Sequence, residues 1–250
     1  MTFGVVIYYS NYPIINLCDI ETCPFCYGDD YCVELNKTVK LNYDSITNCV
    51  FNLFSVKNVY FGTDQNRNGV VLKKLAQNHE LQRLERDVLV LSDKNITVSD
   101  LKLLINKGTE NFYVCDSQTS GMVLEQVAHK NSVHLWTIFK INFEPIILEI
   151  FNKEENWPVP KLYGYCGRSI LVEDCGVPLN RVADFSWEDR AYIAYQLLKA
   201  AHNFSISHKK FRLYLTDVSP DNIAVNPRTL QIAFVDLEHG VLQRKIHPGK

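Results

Sequence analysis

The stretch Leu215-Thr216-Asp217-Val218-Ser219-Pro220-Asp221-Asn222, followed further on by Phe234-Val235-Asp236-Leu237-Glu238, decides how this chain is read. Between them, the apolar runs Ile223-Ala224-Val225 and Ile232-Ala233-Phe234-Val235 flank the turn Asn226-Pro227-Arg228 and predict a hairpin. A hairpin returns to its start, so Asn222 and Asp236, fourteen residues apart, are expected side by side. An amide and a carboxylate meeting there supply the hard oxygen ligands needed by a magnesium ion bridging nucleotide phosphates. Asp217, five residues before Asn222, is then placed to accept a hydroxyl proton. Ser-Pro-Asp-Asn is also good turn chemistry, so Asp217 and Asn222 read as turn caps until Asp236 is counted with them. Asp236 alone reads as a strand-end turn residue, and Glu238 as a solvated charge.

Working outward, Ser186 with Asp189 three residues on forms a capping box with Asp in the Glu position. Trp187, Ala191, Ala194, Leu198 and Ala201 then repeat at helical spacing and predict a buried stripe. Before this helix, Ile146-Ile147-Leu148, Lys161 to Tyr165 and Ser169 to Val172 read as strands, and Met122 to Phe143 as mostly helical up to the break at Pro145. Nearer the N-terminus, Val56 to Phe61 and Val70 to Leu75 read as two strands joined by a polar turn, Gly62 to Gly69. Two modest helices follow, one carrying Leu81, Leu84 and Val88 on a single face, the other spanning Leu101 to Ile105. The order predicts a mixed α+β fold with two lobes.

Composition narrows the function. The 250 residues hold 26 Lys+Arg against 28 Asp+Glu, a net charge of −2, so no polyanion-binding surface is implied and nucleic acid is not expected as a partner. At 46% hydrophobic and 22% charged the chain can bury a core, and it holds no apolar run long enough to span a bilayer. Val5 to Tyr9 is a poor signal peptide, lacking a basic flank. Five of the eight cysteines, Cys18, Cys23, Cys26, Cys32 and Cys49, crowd the N-terminal fifth and mark a separate module. Cys23-Pro24-Phe25-Cys26 fits a disulfide framework, half a zinc site or a redox pair; no second close pair follows and no helix opens at it, which favours disulfides. The sequons at Asn36, Asn95 and Asn203 are near the number chance provides. His79, His134 and His208 show no ligand spacing and read as structural groups, and Trp136, Trp157 and Trp187 as core or lobe-interface residues.

With Asp217, Asn222 and Asp236 in place, the sequence resembles the protein-kinase superfamily, whose catalytic loop reads D-x-x-x-x-N and whose metal aspartate follows a short strand pair. Val70-Val71-Leu72-Lys73 looks like the strand bearing the phosphate-binding lysine; Lys74 competes for the role, and the strand register favours Lys73. Ile170 to Gly176, with Glu173 and Cys175, looks like the hinge that holds adenine through its backbone. Within the superfamily the chain resembles the divergent protein kinase domain family, in its deleted-in-autism branch. The resemblance rests on Cys23 to Gly28, Val56 to Phe61, Val70 to Leu75, Asn156-Trp157-Pro158, Leu162 to Gly167 and Leu213 to Val225. It implies a two-lobed kinase-like fold, ATP and Mg²⁺ as cofactors, and residence in the Golgi lumen or secretion, with disulfides and glycans. It tips the choice of lysine partner between Glu80 and Glu85 toward Glu80. Its implied division is a cysteine-rich segment over 1–50, a kinase-like N-lobe with a helical insertion over 51–172, and a hinge with partial C-lobe over 173–250.

Departures from the pattern are equally specific. Thr216 and Ser219 stand where a conventional kinase has Arg and Lys, Leu237-Glu238 replaces Phe-Gly, and no G-x-G-x-x-G precedes Lys73, so a weakened phosphate clamp is expected. The chain ends fourteen residues after Asp236, where a kinase continues, and reads as truncated in its C-lobe, with poor stability or no activity expected as it stands. Three functions fit: a phosphotransferase acting on a protein or small-molecule hydroxyl, a catalytically weak binding or signalling factor that engages a receptor, or a disulfide-braced structural domain.

Overall fold

Runs of β-branched and aromatic residues punctuated by glycine set the strand pattern of the N-terminal half. The structure, a computed structural model, describes residues 14–41, 59–76, 79–80, 82–84, 100 and 112–245. Its ten strands among these residues are β1 (Lys40–Leu41), β2 (Val59–Thr63), β3 (Gly69–Lys74), β4 (Leu162–Cys166), β5 (Ser169–Glu173), β6 (Val177–Pro178), β7 (Phe211–Tyr214), β8 (Ile223–Val225), β9 (Ile232–Phe234) and β10 (Val241–Arg244). The helices are α1 (Cys32–Thr38), α2 (Ser117–Val127), α3 (Ser132–Ile141), α4 (Glu144–Ile150) and α5 (Trp187–Ile206). Residues 79, 80 and 82–84 are also helical, whereas the helix expected over Leu101 to Ile105 lies outside the described residues.

Two compact units divide the chain. One takes the described residues up to 84 together with Val133–Ile141 and Leu162–Asp174; the other takes the remaining described residues through to 245. The first is an antiparallel sheet of order β1-β2-β3-β5-β4, in which Lys73 lies opposite Val59 on one side and Ile170 on the other. One face of it buries Val70, Leu72 and Leu171 against Leu17, Cys18, Cys32, Leu35 and Val39. The Cys32–Cys166 disulfide pins α1 to β4, and Tyr31 N donates to Tyr165 O at 3.0 Å. Gly167, between β4 and β5, has φ 57°, and a side chain there would run into the Cys18 carbonyl.

The described part of the cysteine-rich segment covers the sheet: Ile14, Leu17, Cys18, Cys32, Leu35 and Val39 pack in one cluster with Val70, Leu72 and Leu171. Cys23 and Cys26 are joined to each other, which answers the Cys-Pro-Phe-Cys question, while Cys49 lies outside the described residues. The division between the units falls between Asp174 and Cys175, and α2 and α4 belong to the second unit.

The second unit holds the three-stranded sheet β6-β8-β9 and the pair β7-β10, both antiparallel. Its aromatic core stacks Trp157 on Phe204 at 5.6 Å and sets Phe151 edge-on to Trp157 at 4.8 Å. His208 closes this core as a structural residue, its Nδ1 accepting from Phe211 N at 2.9 Å. Ile146-Ile147-Leu148 is helical, not a strand: Pro145 occupies the first turn of α4, where a helix needs no N–H, and the Asn142 side chain accepts from Glu144 N at 2.9 Å. A short apolar run buried on every side carries no period that separates helix from strand. Met122 to Phe143 is likewise two helices, α2 beginning at its Asp116 cap and α3 at Ser132.

Helix α5 starts at the expected cap, with Ser186 Oγ accepting from Asp189 N at 3.1 Å. Its buried face is Ile193, Ala200 and Phe204, however, and the predicted stripe is outward, with Trp187 71% and Leu198 74% exposed. The helix carries apolar residues on two faces, and periodicity alone picked the wrong one.

Candidate functional site

The eight residues from Leu215 to Asn222 join β7 to β8, and Asn222 ties the loop at both ends. Its backbone N donates to Ser219 O at 3.1 Å, and its Nδ2 donates to the Asp217 carbonyl at 3.3 Å. On the other side, Val235 N donates to Asn222 O at 2.9 Å, continuing the β8–β9 register in which Ile223 faces Phe234. Asp236 is the next residue, so the hairpin delivers it beside Asn222. Asp217 and Asp236 line one small recess, together with Leu215, Thr216, His239 and Gly240. Asp217 is exposed, while Asn222 and Asp236 are half-buried. From outside the loop, Asn180 Nδ2 hydrogen-bonds the Asp221 carboxylate.

Bonds that the sequence did not announce hold the segment after Asp236. Glu238 N donates to Asp236 Oδ1 at 3.4 Å, and Thr216 Oγ1 donates to the His239 carbonyl at 2.8 Å. Glu238 is not a solvated charge: its Oε2 accepts from Asn142 Nδ2 at 2.8 Å and its Oε1 stands 3.3 Å from His239 Nε2. Asn142 is 2% exposed and lies 96 residues from Glu238, so no local motif announces the pair. Leu237, 1% exposed, anchors the same turn in the core.

In the first unit the structure separates the two candidate lysines by sheet face. Lys74 shares the face of Val70 and Leu72, where its ammonium pairs with Asp19, which also stands 3.5 Å from Arg168 Nε. Lys73 points to the opposite face by strand alternation and is half-buried. Glu80 is half-buried on the helical stretch that follows, and Glu85 lies outside the described residues. Glu173 ends β5 opposite Val70, and Asp174 N donates to Gly69 O at 3.1 Å. Cys175 belongs to the second unit, its side chain packed with Ala224 and Ala233. Gly176 follows at φ 114°, where any Cβ would strike the Val225 carbonyl.

The turn between β2 and β3 is closed by its own acid. Asp64 Oδ1 accepts from Asn66 N and Asn68 N, both at 2.8 Å, and Oδ2 accepts from Asn68 Nδ2 at 2.9 Å. These bonds, the Asn68 side chain's first, hold the Asp64 carboxyl below its ordinary pKa. Backbone N–H groups that a glycine-rich loop would offer to phosphate are here spent on a carboxylate.

The donor set around Asp236 suits a hard cation. Two carboxylates line the recess and an amide side chain stands next to it, and magnesium is commonly held by one or two carboxylates with substrate phosphates completing its shell. Among the described residues no group of three His, Cys, Asp or Glu could form an all-protein metal cage.

Residues 135–248 match the family model described as the protein-kinase domain of FAM69. Divergent protein kinase domain 2A of Xenopus tropicalis is 28% identical over 264 residues, covering 90% of this chain and 61% of the relative, and the Homo sapiens protein is 28% identical over 265 residues with the same coverage. Divergent protein kinase domain 2B of Mus musculus is 40% identical over 78 residues, 31% of this chain and 18% of the relative. This chain spans about three fifths of the length of the 2A relatives it matches. Among solved structures, a Mycobacterium tuberculosis protein described as a complex of Rv3197 with erythromycin superposes with a TM-score of 0.47 at 12% identity, covering 96% of this chain and 55% of that one. Over residues 135–248 the chain matches a protein-kinase-like family, its described residues fold as mixed helix and sheet, and divergent protein kinase domains 2A and 2B are proteins it is similar to.

Proposed function

We propose that the chain carries a phosphotransfer site in which Asn222 and Asp236 hold Mg²⁺ on a nucleoside triphosphate and Asp217 accepts the proton of an acceptor hydroxyl. The observation that carries the reading is the shared recess of Asp217 and Asp236, with Asn222 bonded on both sides of it. The bound cation would supply charge neutralisation on the phosphates; the chain's own contribution is to fix the two acids and the amide on a rigid hairpin. By the family resemblance Lys73 would serve phosphate and Glu80 would orient it, both on the first unit. The acceptor is a hydroxyl on a protein or a small molecule. Two disulfides among the described residues support folding in an oxidising compartment, the Golgi lumen or the cell exterior.

One observation favours a second reading, a kinase-like binding factor with weak nucleotide affinity that engages a receptor. Asp64 closes the β2–β3 turn against phosphate, and Thr216 and Ser219 remove two positive charges from the catalytic loop. Calorimetric titration of Mg·ATP, with release of radiolabelled phosphate to acceptor mixtures or water, separates the two. Phosphotransfer predicts that Asp236→Asn abolishes magnesium-dependent ATP binding, while Asp217→Asn retains binding and loses turnover. Wild-type protein that binds ATP in a magnesium-dependent way without turnover supports the second reading, and equal behaviour of all three proteins overturns the first.

A further inference from the structure

A groove of about 280 Å³ lies on the second unit between α5, the Lys153–Pro158 segment and the start of β9, and it shares no residue with the Asp217/Asp236 recess. One wall is Tyr192, Tyr195 and Lys199, successive residues along a single side of α5. The tyrosine rings are stacked at 6.5 Å and remain 49% and 57% exposed. Asn156, Gln196, Asn203 and Gln231 give the floor and rim side-chain amides; Gln196 Nε2 already donates to Leu230 O at 2.6 Å and Asn203 Oδ1 accepts from Ser207 Oγ at 3.1 Å, so one polar atom of each of these two remains for a ligand. Lys153 adds a second positive charge, and no carboxylate lines the groove. The far wall is rigid, because Trp157 stacks on Phe204 and Phe234 N donates to Pro158 O at 2.9 Å.

We infer that this groove docks an acidic peptide segment of a partner protein. Half-exposed tyrosines offer flat contact area with little rotamer entropy to lose, and they are enriched where protein surfaces bind. Side-chain amides on both sides can satisfy the N–H and C=O groups of an extended peptide, which a purely apolar groove cannot. The all-positive charge of the lining selects carboxylates and repels basic segments, the usual origin of specificity at such rims. A cleft open along its length admits a chain in passing, whereas small molecules favour enclosed cavities. Binding here is independent of nucleotide, since the recess contributes none of the lining.

Fluorescence anisotropy on the full chain tests this, using a fluorescein-labelled degenerate peptide pool with Glu fixed at two positions, beside matched pools carrying Gln or Lys there. The Glu pool is expected to bind at least about tenfold tighter than the Gln pool at low salt, with the advantage shrinking as ionic strength rises. Lys199→Glu and Tyr195→Ala should each weaken it about tenfold, whereas Lys209→Glu, an exposed charge away from the groove, and Asp236→Asn should leave it unchanged. Unchanged circular dichroism melting of each variant establishes that it folds. Equal binding of the three pools, or equal loss in Lys209→Glu and Lys199→Glu, overturns the proposal. So does tight binding of inorganic phosphate or anionic lipid vesicles that displaces the Glu pool, because it would make the groove a general anion site.

Discussion

Removing the Cys32–Cys166 bond should cost far more stability than removing Cys23–Cys26. The first closes a separation of 134 residues and the second a separation of 3. Loss of denatured-chain entropy on cross-linking gives about 5 kcal/mol for the long loop and about 1.6 kcal/mol for the short one, a gap of roughly 3 kcal/mol. Packing hardly disturbs the comparison, since Cys32, Cys166 and Cys26 are all buried and a Cys→Ala pair removes two sulfur atoms in either case. Engineered cross-links often yield less than this expression, so a gap of about 2 kcal/mol still satisfies it. Hydrogen exchange read by mass spectrometry on peptides covering β3, β4 and β5 reports on the unit concerned. The paired variant Cys32→Ala/Cys166→Ala should lose roughly a hundredfold in protection there relative to Cys23→Ala/Cys26→Ala. Equal protection in the two would refute the placement of the cysteine-rich segment as the cover of the sheet.

Two other perturbations follow from the second unit. Asn142→Ala strips a partner from Glu238 and from Glu144 N at a site 2% exposed, and should destabilise the protein by about 1–3 kcal/mol in urea unfolding; a change below about half a kcal/mol would show the bond to be dispensable. His208 has its pKa lowered, mainly by burial, so between its folded pKa and about 6.5 the unfolded chain binds more protons than the folded one. Its contribution is therefore complete above about pH 6.5 and is lost as pH falls below that value. His208→Asn keeps an acceptor for Phe211 N without titrating, and should flatten the stability profile below about pH 6.5; an unaltered slope would contradict the assignment.

What was legible in the sequence is what local pattern controls. The strand pair around Asn226-Pro227-Arg228, the cap at Ser186 and the loop bearing Asp217 and Asn222 all rest on residues close together in the chain. Strand alternation also put Lys73 and Lys74 on opposite faces of the sheet, where Lys74 pairs with Asp19. The failures share a cause as well. Ile146 to Leu148 is apolar on every side and buried on every side, so no period distinguishes its helix from a strand. Helix α5 has two apolar faces, and only tertiary packing shows that Ile193, Ala200 and Phe204 are the inner one. Asn142 reaches Glu238 across 96 residues. Long-range hydrogen bonds of this kind leave no mark on periodicity or motif.

The central claim, that Asp236 and Asn222 hold a cation only together with nucleotide phosphates, is tested most directly by electron paramagnetic resonance of Mn²⁺ as a magnesium substitute. With ATP present, wild-type protein should convert the Mn²⁺–ATP spectrum to a protein-bound one, whereas Mn²⁺ alone should stay free and Asp236→Asn should leave the Mn²⁺–ATP spectrum unchanged. A wild-type spectrum identical to that of Asp236→Asn in the presence of ATP would contradict the account.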